Sequence, residues 1–150
     1  MGIMKDKFLE KSTTLSAEIK ELLKEHGNKV IGEVTLSQVY QGMRGITGLV
    51  TETSLLDAQE GIRFRGYSIP ELQAKLPKAP GGSEPLPEGL FYLMMIGELP
   101  TEEEVNHVTN VLQRRSHVPS HVFEAIDALP LNTHPMTMFV IGVMALQTES

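Results

Sequence analysis

The sequence predicts a mainly α, multi-helical protein with a small β-hairpin region near residues 30–66. Two observations predict this fold class. Towards both ends of the chain, apolar residues recur at three- and four-residue steps, which is the periodicity of amphipathic helices. Between these parts, short apolar segments alternate with glycines at positions 32, 42, 45, 48, 61 and 66, a pattern typical of extended segments joined by turns.

The first predicted element is an amphipathic helix. Its apolar residues Phe8, Leu15, Ile19 and Leu22 lie on one stripe among charged residues. We expect Gly27 to end this helix by taking a left-handed conformation, which glycine adopts without steric cost.

Extended segments joined by turns are predicted between residues 29 and 66, and residues 57–61 have the composition of a hairpin loop. A small helix over residues 68–76 follows, with Ser68 as its N-cap. Pro70 lies in its first turn, where a missing N–H costs nothing. Residues 77–89 contain four prolines and three glycines and are predicted to form a loop.

The last sixty residues are predicted to be helical. Residues 90–96 are apolar on every side and end at Gly97. Thr101 and Glu104 have the spacing of a capping box at the start of the next helix. Ser120 is expected to cap a third helix, and a fourth begins around His134.

The fourth of these helices is almost entirely apolar. Between residues 136 and 146 only Thr137 and Gly142 interrupt the apolar residues, so the helix needs partners on all sides. Few residues follow it that could supply such cover. We therefore expect these 150 residues to be part of a larger helical protein, or one half of an obligate oligomer.

Composition excludes several classes of function. The chain has 13 Lys and Arg against 19 Asp and Glu, a net charge of −6, and no cysteine. Without cysteine there is no disulfide, thiolate zinc site or cysteine nucleophile. The acidic balance argues against nucleic acid and anionic membranes as partners. No apolar stretch approaches the roughly 20 residues of a membrane span, and no presequence is visible at the start.

Arg44 is the principal candidate for ligand binding. It lies in a segment with glycines at positions 42, 45 and 48. Glycines let a backbone approach an anion closely, while a guanidinium grips the anion with paired hydrogen bonds, so the segment fits phosphate. The alternative is that the glycines only permit tight turns.

Two further arginines, Arg63 and Arg65, alternate on one side of a predicted strand, which would aim both at one surface. The alternative is that they are surface arginines paired with acidic neighbours such as Glu60.

The histidines give no metal site. His117 and His121 have the spacing of two metal ligands on one helix face, but Pro119 interrupts that helix and no third ligand is evident. His134 precedes Pro135 and is interpreted as a hydrogen-bonded structural residue at a helix start rather than a catalytic one.

Several segments resemble the citrate synthase family, of the type found in eukaryotes. They are EHGNKVIG (25–32), GMRG (42–45), EGIRFRGYSIP (60–70), LPKA (76–79), EPLPEGLF (84–91), PSHV (119–122) and HPM (134–136). The similarity runs in order from about residue 5 to residue 150. The eleven-residue match over residues 60–70 is the most specific.

This resemblance implies a mostly helical homodimer in which each subunit has a large helical domain and a smaller mobile one. It implies condensation of acetyl-CoA with oxaloacetate and water, with coenzyme A as substrate and product rather than a permanently bound cofactor. Residues 1–150 would be the amino-terminal part of the large domain, supplying scaffold and dimer surface. The mitochondrial matrix is the compartment that the resemblance implies.

The resemblance places no catalytic residue in this chain, because the aspartate and histidines that the family uses lie beyond Ser150. It does place one binding residue: Arg44 matches an arginine that helps to hold coenzyme A phosphates. Residues 1–150 alone are therefore expected to be inactive. The alternative is a non-catalytic helical module that keeps this part of the fold for assembly with another protein.

Overall fold

The computed structural model describes residues 2–149 of the chain. It is mostly helical with one three-stranded antiparallel sheet, whose strands lie side by side in chain order, and this confirms the predicted mainly α class with a small sheet. The helices are α1 (Gly2–His26), α2 (Leu36–Tyr40), α3 (Ile69–Lys75), α4 (Pro87–Ile96), α5 (Glu102–Arg114), α6 (Ser120–Asp127) and α7 (Pro135–Ala145), followed by a 3₁₀ turn, Leu146–Glu149. The strands are β1 (Ser54–Asp57), β2 (Gly61–Phe64) and β3 (Tyr67–Ser68). The chain divides into two compact units, Met1–Asn110 and Val111–Ser150.

The core of the first unit forms around α4. Leu93 packs with Leu72 and Leu76 of the α3 region, and Phe64 and Tyr67 of the sheet cover this cluster. A second cluster consists of Tyr92 and Ile96 of α4 with Val108 of α5, and Met4 of α1 packs against it. Because α4 is apolar on all sides, as its sequence predicted, it can contribute to both clusters at once.

The hairpin is confirmed where its loop was predicted. Asp57 pairs with Gly61 across the turn, and Gly61 has a positive φ of 83°. The Asp57 carboxylate accepts the backbone N–H groups of Gln59 and Glu60, at 2.7 and 2.9 Å. These two hydrogen bonds lower the pKa of Asp57, since they favour its charged form.

The expected extended segments before the hairpin are not strands. None of residues 29–53 joins the sheet in the part of the chain that is described, and Leu36–Tyr40 is a helix. Thr35 and Gln38 form a capping box at its start, in which Thr35 Oγ1 accepts the Gln38 N–H at 3.3 Å. The alternation of apolar residues and glycines predicts extended segments here. Over residues 36–40 the hydrogen bonds of the capping box favour one helical turn instead.

One predicted helix end is confirmed with a different backbone conformation, and two predicted helix starts differ from the structure. Gly27 ends α1 without a positive φ; a Cβ there would lie only 2.4 Å from the Leu23 carbonyl oxygen, so glycine is needed for space rather than handedness. Helix α4 begins at Pro87 inside the predicted loop, since proline suits a first helical turn. Ser120 is the first residue of α6, and Pro119 occupies the N-cap position without a side-chain hydrogen bond.

The second unit consists mainly of α6 packed on α7. Gly142 permits this contact, because a Cβ there would lie 3.0 Å from Ile126 Cδ1. His121 Nε2 lies 3.0 Å from the Ala145 carbonyl oxygen at the other end of the pair. Five large apolar side chains of α7 are exposed: Met136, Phe139, Val140, Val143 and Met144. The lack of cover expected for this helix is therefore confirmed within the described residues.

None of the described helices combines the length and the apolar character that crossing a membrane requires.

Candidate functional site

Arg44 lies in a loop that folds back onto α2. The Met43 N–H donates to the Gln38 carbonyl at 2.8 Å, and Gln38 Nε2 donates to the Gly45 carbonyl at 3.5 Å. The Ile46 N–H closes the loop by donating to the Met43 carbonyl at 3.2 Å. Gln38, which also completes the capping box of α2, thus fixes the loop at two points.

The backbone of this loop is left-handed at three positions. Gly42, Met43 and Gly45 have φ values of 72°, 62° and 74°. The two glycines adopt this conformation freely, whereas it costs a side chain such as Met43 about 1 kcal/mol. Backbone strain of this kind clusters at ligand-binding positions. The glycines therefore serve a tight turn, and that turn presents Arg44.

Arg44 itself is exposed and unpaired. Its guanidinium has no hydrogen-bond or ion-pair partner within residues 2–149, and the N–H groups of Arg44 and Gly45 donate to no acceptor there. A guanidinium and backbone N–H groups without partners are donors of the kind that suit an anion. This is the geometry on which an anion-binding role for the loop would rest.

Arg63 pairs with its acidic neighbour Glu60, as the second of its two interpretations predicts. Its Nε and Nη2 atoms donate to Glu60 Oε2 at 3.2 and 3.1 Å, and its Nη1 donates to the Gly66 carbonyl at 3.0 Å. These contacts tie the ends of β2 together. Arg63 is a surface arginine paired with an acidic neighbour, and it is committed to the hairpin.

Arg65 does not share a surface with Arg63, so that expectation is wrong. Arg65 has a φ of 48° just beyond β2, which breaks the alternation of the strand. Its Nε and Nη2 atoms donate to the Met94 carbonyl at 3.1 and 2.8 Å, and its Nη1 donates to Glu52 at 3.2 Å. The Met94 carbonyl lies in the last turn of α4, where backbone carbonyls have no partner within the helix. The positive charge of Arg65 at this point complements the helix dipole.

The histidines of interest lie at the starts of helices α6 and α7. His134 is the N-cap of α7, and its Nδ1 accepts the Met136 N–H at 3.1 Å, as the structural interpretation predicted. His117 precedes α6 and His121 lies in its first turn. Within residues 2–149 no three His, Asp or Glu side chains are grouped as a metal ion would require.

A buried polar network in the first unit was missed from the sequence. Glu104, only 8% exposed, accepts hydrogen bonds from Lys7 Nζ and from the Tyr92 hydroxyl, both at 2.5 Å. Its second oxygen accepts the Thr101 N–H at 2.9 Å, in the predicted capping box. The capping spacing signalled Glu104, but nothing local in the sequence signals Lys7 or Tyr92.

Ionisation in this network follows from its contacts. Burial raises the pKa of Glu104, but the hydrogen bonds from Lys7, Thr101 and Tyr92 outweigh burial and hold that pKa at about 2. The hydrogen bond to Glu104 raises the pKa of Lys7 well above its usual value. Glu104 and Lys7 are therefore an ion pair throughout the neutral range.

A cavity of about 580 Å³ lies between α1 and the end of α4. Its lining includes Phe8, Lys11, Leu15, Arg65 and Met95. The charged groups in it are already paired, Lys11 with Glu98 and Arg65 with Glu52. The cavity therefore offers no unpaired charge for a ligand, in contrast to the Arg44 loop.

Comparison with known proteins assigns the family. A sequence model described as "Citrate synthase, C-terminal domain" matches residues 42–150, which is more than half of the chain. The chain belongs to the citrate synthase family. The match begins at Gly42, so it includes the Arg44 loop, the hairpin and α3 to α7.

Individual proteins that are similar to the chain carry the name of the same family. The chain is 53% identical over 147 residues to "Citrate synthase, mitochondrial" of Saccharomyces cerevisiae, covering 98% of this chain and 31% of that protein. Proteins with the same name from Kajikia audax and Daucus carota are 55% and 56% identical over 132 residues, covering 28% of each. The chain thus spans about a third of the length of the citrate synthases it matches.

Proposed function

We propose that residues 1–150 are the amino-terminal part of the large helical domain of a mitochondrial citrate synthase. The whole protein would condense acetyl-CoA with oxaloacetate and water to give citrate and coenzyme A, in the mitochondrial matrix and as a homodimer. The observation that carries this proposal is the identity of 53% to a mitochondrial citrate synthase over 98% of the chain. Coenzyme A enters this reaction as part of a substrate and leaves as a product.

In this proposal the described residues supply scaffold and dimer surface. The exposed apolar face of α7 supports that role, because its side chains need a protein partner to leave water. The groups that perform the condensation belong to the other two thirds of the length that the relatives have.

The first test measures CoA release from acetyl-CoA and oxaloacetate. Purified residues 1–150 are expected to show no turnover, whereas the complete natural protein carrying this sequence shows citrate synthase activity. Turnover by residues 1–150 would contradict the placement of the catalytic groups. A complete protein without activity, or a gene that stops directly after Ser150, would favour the non-catalytic assembly module.

Within this function we propose that Arg44 contacts a phosphate group of coenzyme A. Its unpaired guanidinium, the neighbouring unpaired N–H groups and the left-handed turn support this role. Arg44→Ala in the complete protein is expected to weaken acetyl-CoA binding by about 1–3 kcal/mol, which is roughly 5- to 150-fold in Kd, because a charged hydrogen bond is lost.

The control is Arg115→Ala, which removes the same charge from an exposed arginine outside the loop. It should leave acetyl-CoA affinity unchanged, and Arg44→Lys should retain part of it, since lysine keeps the charge but not the paired donors. Titration calorimetry with acetyl-CoA and with oxaloacetate separates the two ligands. If Arg44→Ala leaves acetyl-CoA affinity unchanged, the loop is a turn without a binding role.

A further inference from the structure

The turn that presents Arg44 is held by local contacts. The Gln38 side chain and the Gly45 carbonyl, which form one of them, are seven positions apart, and the other contacts join residues that are closer in sequence. Both partners of each contact lie within residues 38–46. The turn therefore does not depend on the parts of the protein that lie outside the described residues.

The peptide group between Gly45 and Ile46 is held at both of its polar atoms. Its carbonyl oxygen accepts from Gln38 Nε2 at 3.5 Å, and its N–H donates to the Met43 carbonyl at 3.2 Å. A Cβ added to Gly45 would lie 3.8 Å from Gln38 Nε2, so the amide also lies directly against this residue. The half-buried Gln38 side chain thus fixes the turn one residue beyond Arg44.

The backbone on both sides of Arg44 needs such a restraint. Met43 and Gly45 have φ values of 62° and 74°. Glycine adopts left- and right-handed conformations about equally, and a residue with a side chain disfavours the left-handed one. A change at either position would redirect the guanidinium between them. Paired hydrogen bonds from a guanidinium to an anion depend on that direction.

The two ends of the Gln38 amide have separate partners. Its Oε1 accepts the Thr35 N–H at 2.9 Å in the capping box of α2, whereas its Nε2 donates to the Gly45 carbonyl. Glutamate at this position would keep the capping acceptor and lose the donor, because an ionised carboxylate only accepts hydrogen bonds. The contact to the turn can therefore be removed while the cap of the helix is kept.

We propose that Gln38 is a positioning residue for Arg44: by holding the Gly45 carbonyl, its side-chain amide keeps the Arg44 guanidinium directed at a phosphate group of acetyl-CoA. This inference rests on the proposed function, in which Arg44 makes that contact. Gln38 acts through the backbone of the turn and does not touch the ligand. Its removal should weaken the binding of acetyl-CoA and leave the binding of oxaloacetate unchanged.

The test is titration calorimetry on the complete natural protein with Gln38→Glu and Gln38→Met. The first variant keeps the cap and adds a charge, and the second adds no charge and loses the cap, so they share only the loss of the Nε2 donor. Both should raise the Kd of acetyl-CoA about 3- to 10-fold, the effect of one neutral hydrogen bond. The Kd of oxaloacetate and kcat should stay within about twofold of the parent.

A double-mutant cycle connects the effect to Arg44. In the Arg44→Ala background, Gln38→Met should cause no further loss of acetyl-CoA affinity, since there is no guanidinium left to position. The matched control is Gln41→Met, which removes the same side-chain amide from a residue whose Nε2 donates to Ser37 Oγ at 3.1 Å. This variant should bind acetyl-CoA like the parent.

The outcomes separate this inference from the role of Arg44 itself. If Arg44→Ala weakens binding and the two Gln38 variants do not, Arg44 contacts the ligand without help from Gln38, and the inference is wrong. A loss in Gln38→Glu alone would assign the effect to the added charge. An equal loss in Gln41→Met, or an undiminished loss in the Arg44→Ala background, would also overturn it. Unchanged affinity in Arg44→Ala would remove the proposed contact and this inference with it.

Discussion

Helices α4 and α7 are alike in sequence and opposite in environment. Each begins with a proline and is apolar on nearly every side. Helix α4 buries Tyr92 and Leu93 almost completely, whereas Phe139 of α7 remains 64% exposed and Gly142 is its one buried residue in the described chain. The same pattern therefore occurs once inside a core and once on a surface.

An apolar helix sequence specifies only part of the environment of the helix. The pattern states that the helix must be covered, but it does not state which part of a protein supplies the cover. For α4 the cover comes from the neighbouring α3, α5 and sheet, and from α1 at the start of the chain. Among the described residues, α7 packs mainly on α6, and five of its large apolar side chains stay exposed. Under the proposed function, the remaining length of the protein or a second subunit would cover them.

One side-chain truncation on each helix should have the largest and most different effects on stability. Leu93→Ala in residues 1–150 should lower the free energy of unfolding by about 2–5 kcal/mol, because it leaves a cavity in a well-packed core. Phe139→Ala in the same chain should cost less than about 1 kcal/mol, as an exposed side chain loses little burial. Urea denaturation followed by circular dichroism measures both values.

The complete protein gives the decisive contrast. In the complete protein, Phe139→Ala should lower the free energy of unfolding by about 3–5 kcal/mol, since α7 would be covered and the truncation would leave a cavity. Leu93→Ala should cost the same in both proteins. If Phe139→Ala is equally mild in the complete protein, α7 is a true surface helix and the expectation of missing cover is wrong.

A second difference between the helices is the polar network at Tyr92. Because the folded pKa of Glu104 is about 2, below the ordinary value of 4.5, its ionised form stabilises the fold above pH 5. This contribution is about 3 kcal/mol, and it is lost progressively as pH falls from about 4.5 to 2. Urea denaturation at several pH values should show the loss in the parent. The loss should be smaller in Glu104→Gln by about this amount, since other carboxylates with a lowered pKa, such as Asp57, titrate in both proteins. An equal loss in both proteins would contradict this account.

Sequence reasoning succeeded where the determining contacts are local. Ser68 with Glu71, Thr101 with Glu104, and His134 with Met136 all lie within three residues of each other, and each forms the cap hydrogen bonds of its helix. The loop of the hairpin, over residues 57–61, is equally local. Short-range spacing is visible in a sequence, so these elements could be predicted.

Sequence reasoning failed where the contacts are distant or the backbone is unusual. Lys7 and Glu104 are 97 positions apart, and no periodicity connects them. At the candidate site, the glycines around Arg44 predicted a tight turn, but not the left-handed Met43 or the two contacts from Gln38. The positive φ of Arg65 likewise redirected its side chain to the end of α4. Tertiary packing decides such features.

The smallest predicted effect concerns how the two helices end. Helix α4 stops at Gly97, with a φ of 83°, whereas α7 continues through Leu146 into a 3₁₀ turn. An alanine Cβ at position 97 would lie 3.7 Å from Arg65 Cζ, an ordinary contact, so the cost of Gly97→Ala is that of the left-handed backbone alone. We expect a loss of about 1 kcal/mol in unfolding free energy, measured by thermal and urea denaturation.

Gly48→Ala is the control, because its φ is not positive and nothing lies within 4 Å of the added Cβ, so it should cause no loss. A loss much larger than 1 kcal/mol for Gly97→Ala would mean that Arg65 moves as well, and that its paired contact with Met94 depends on the close approach that glycine allows.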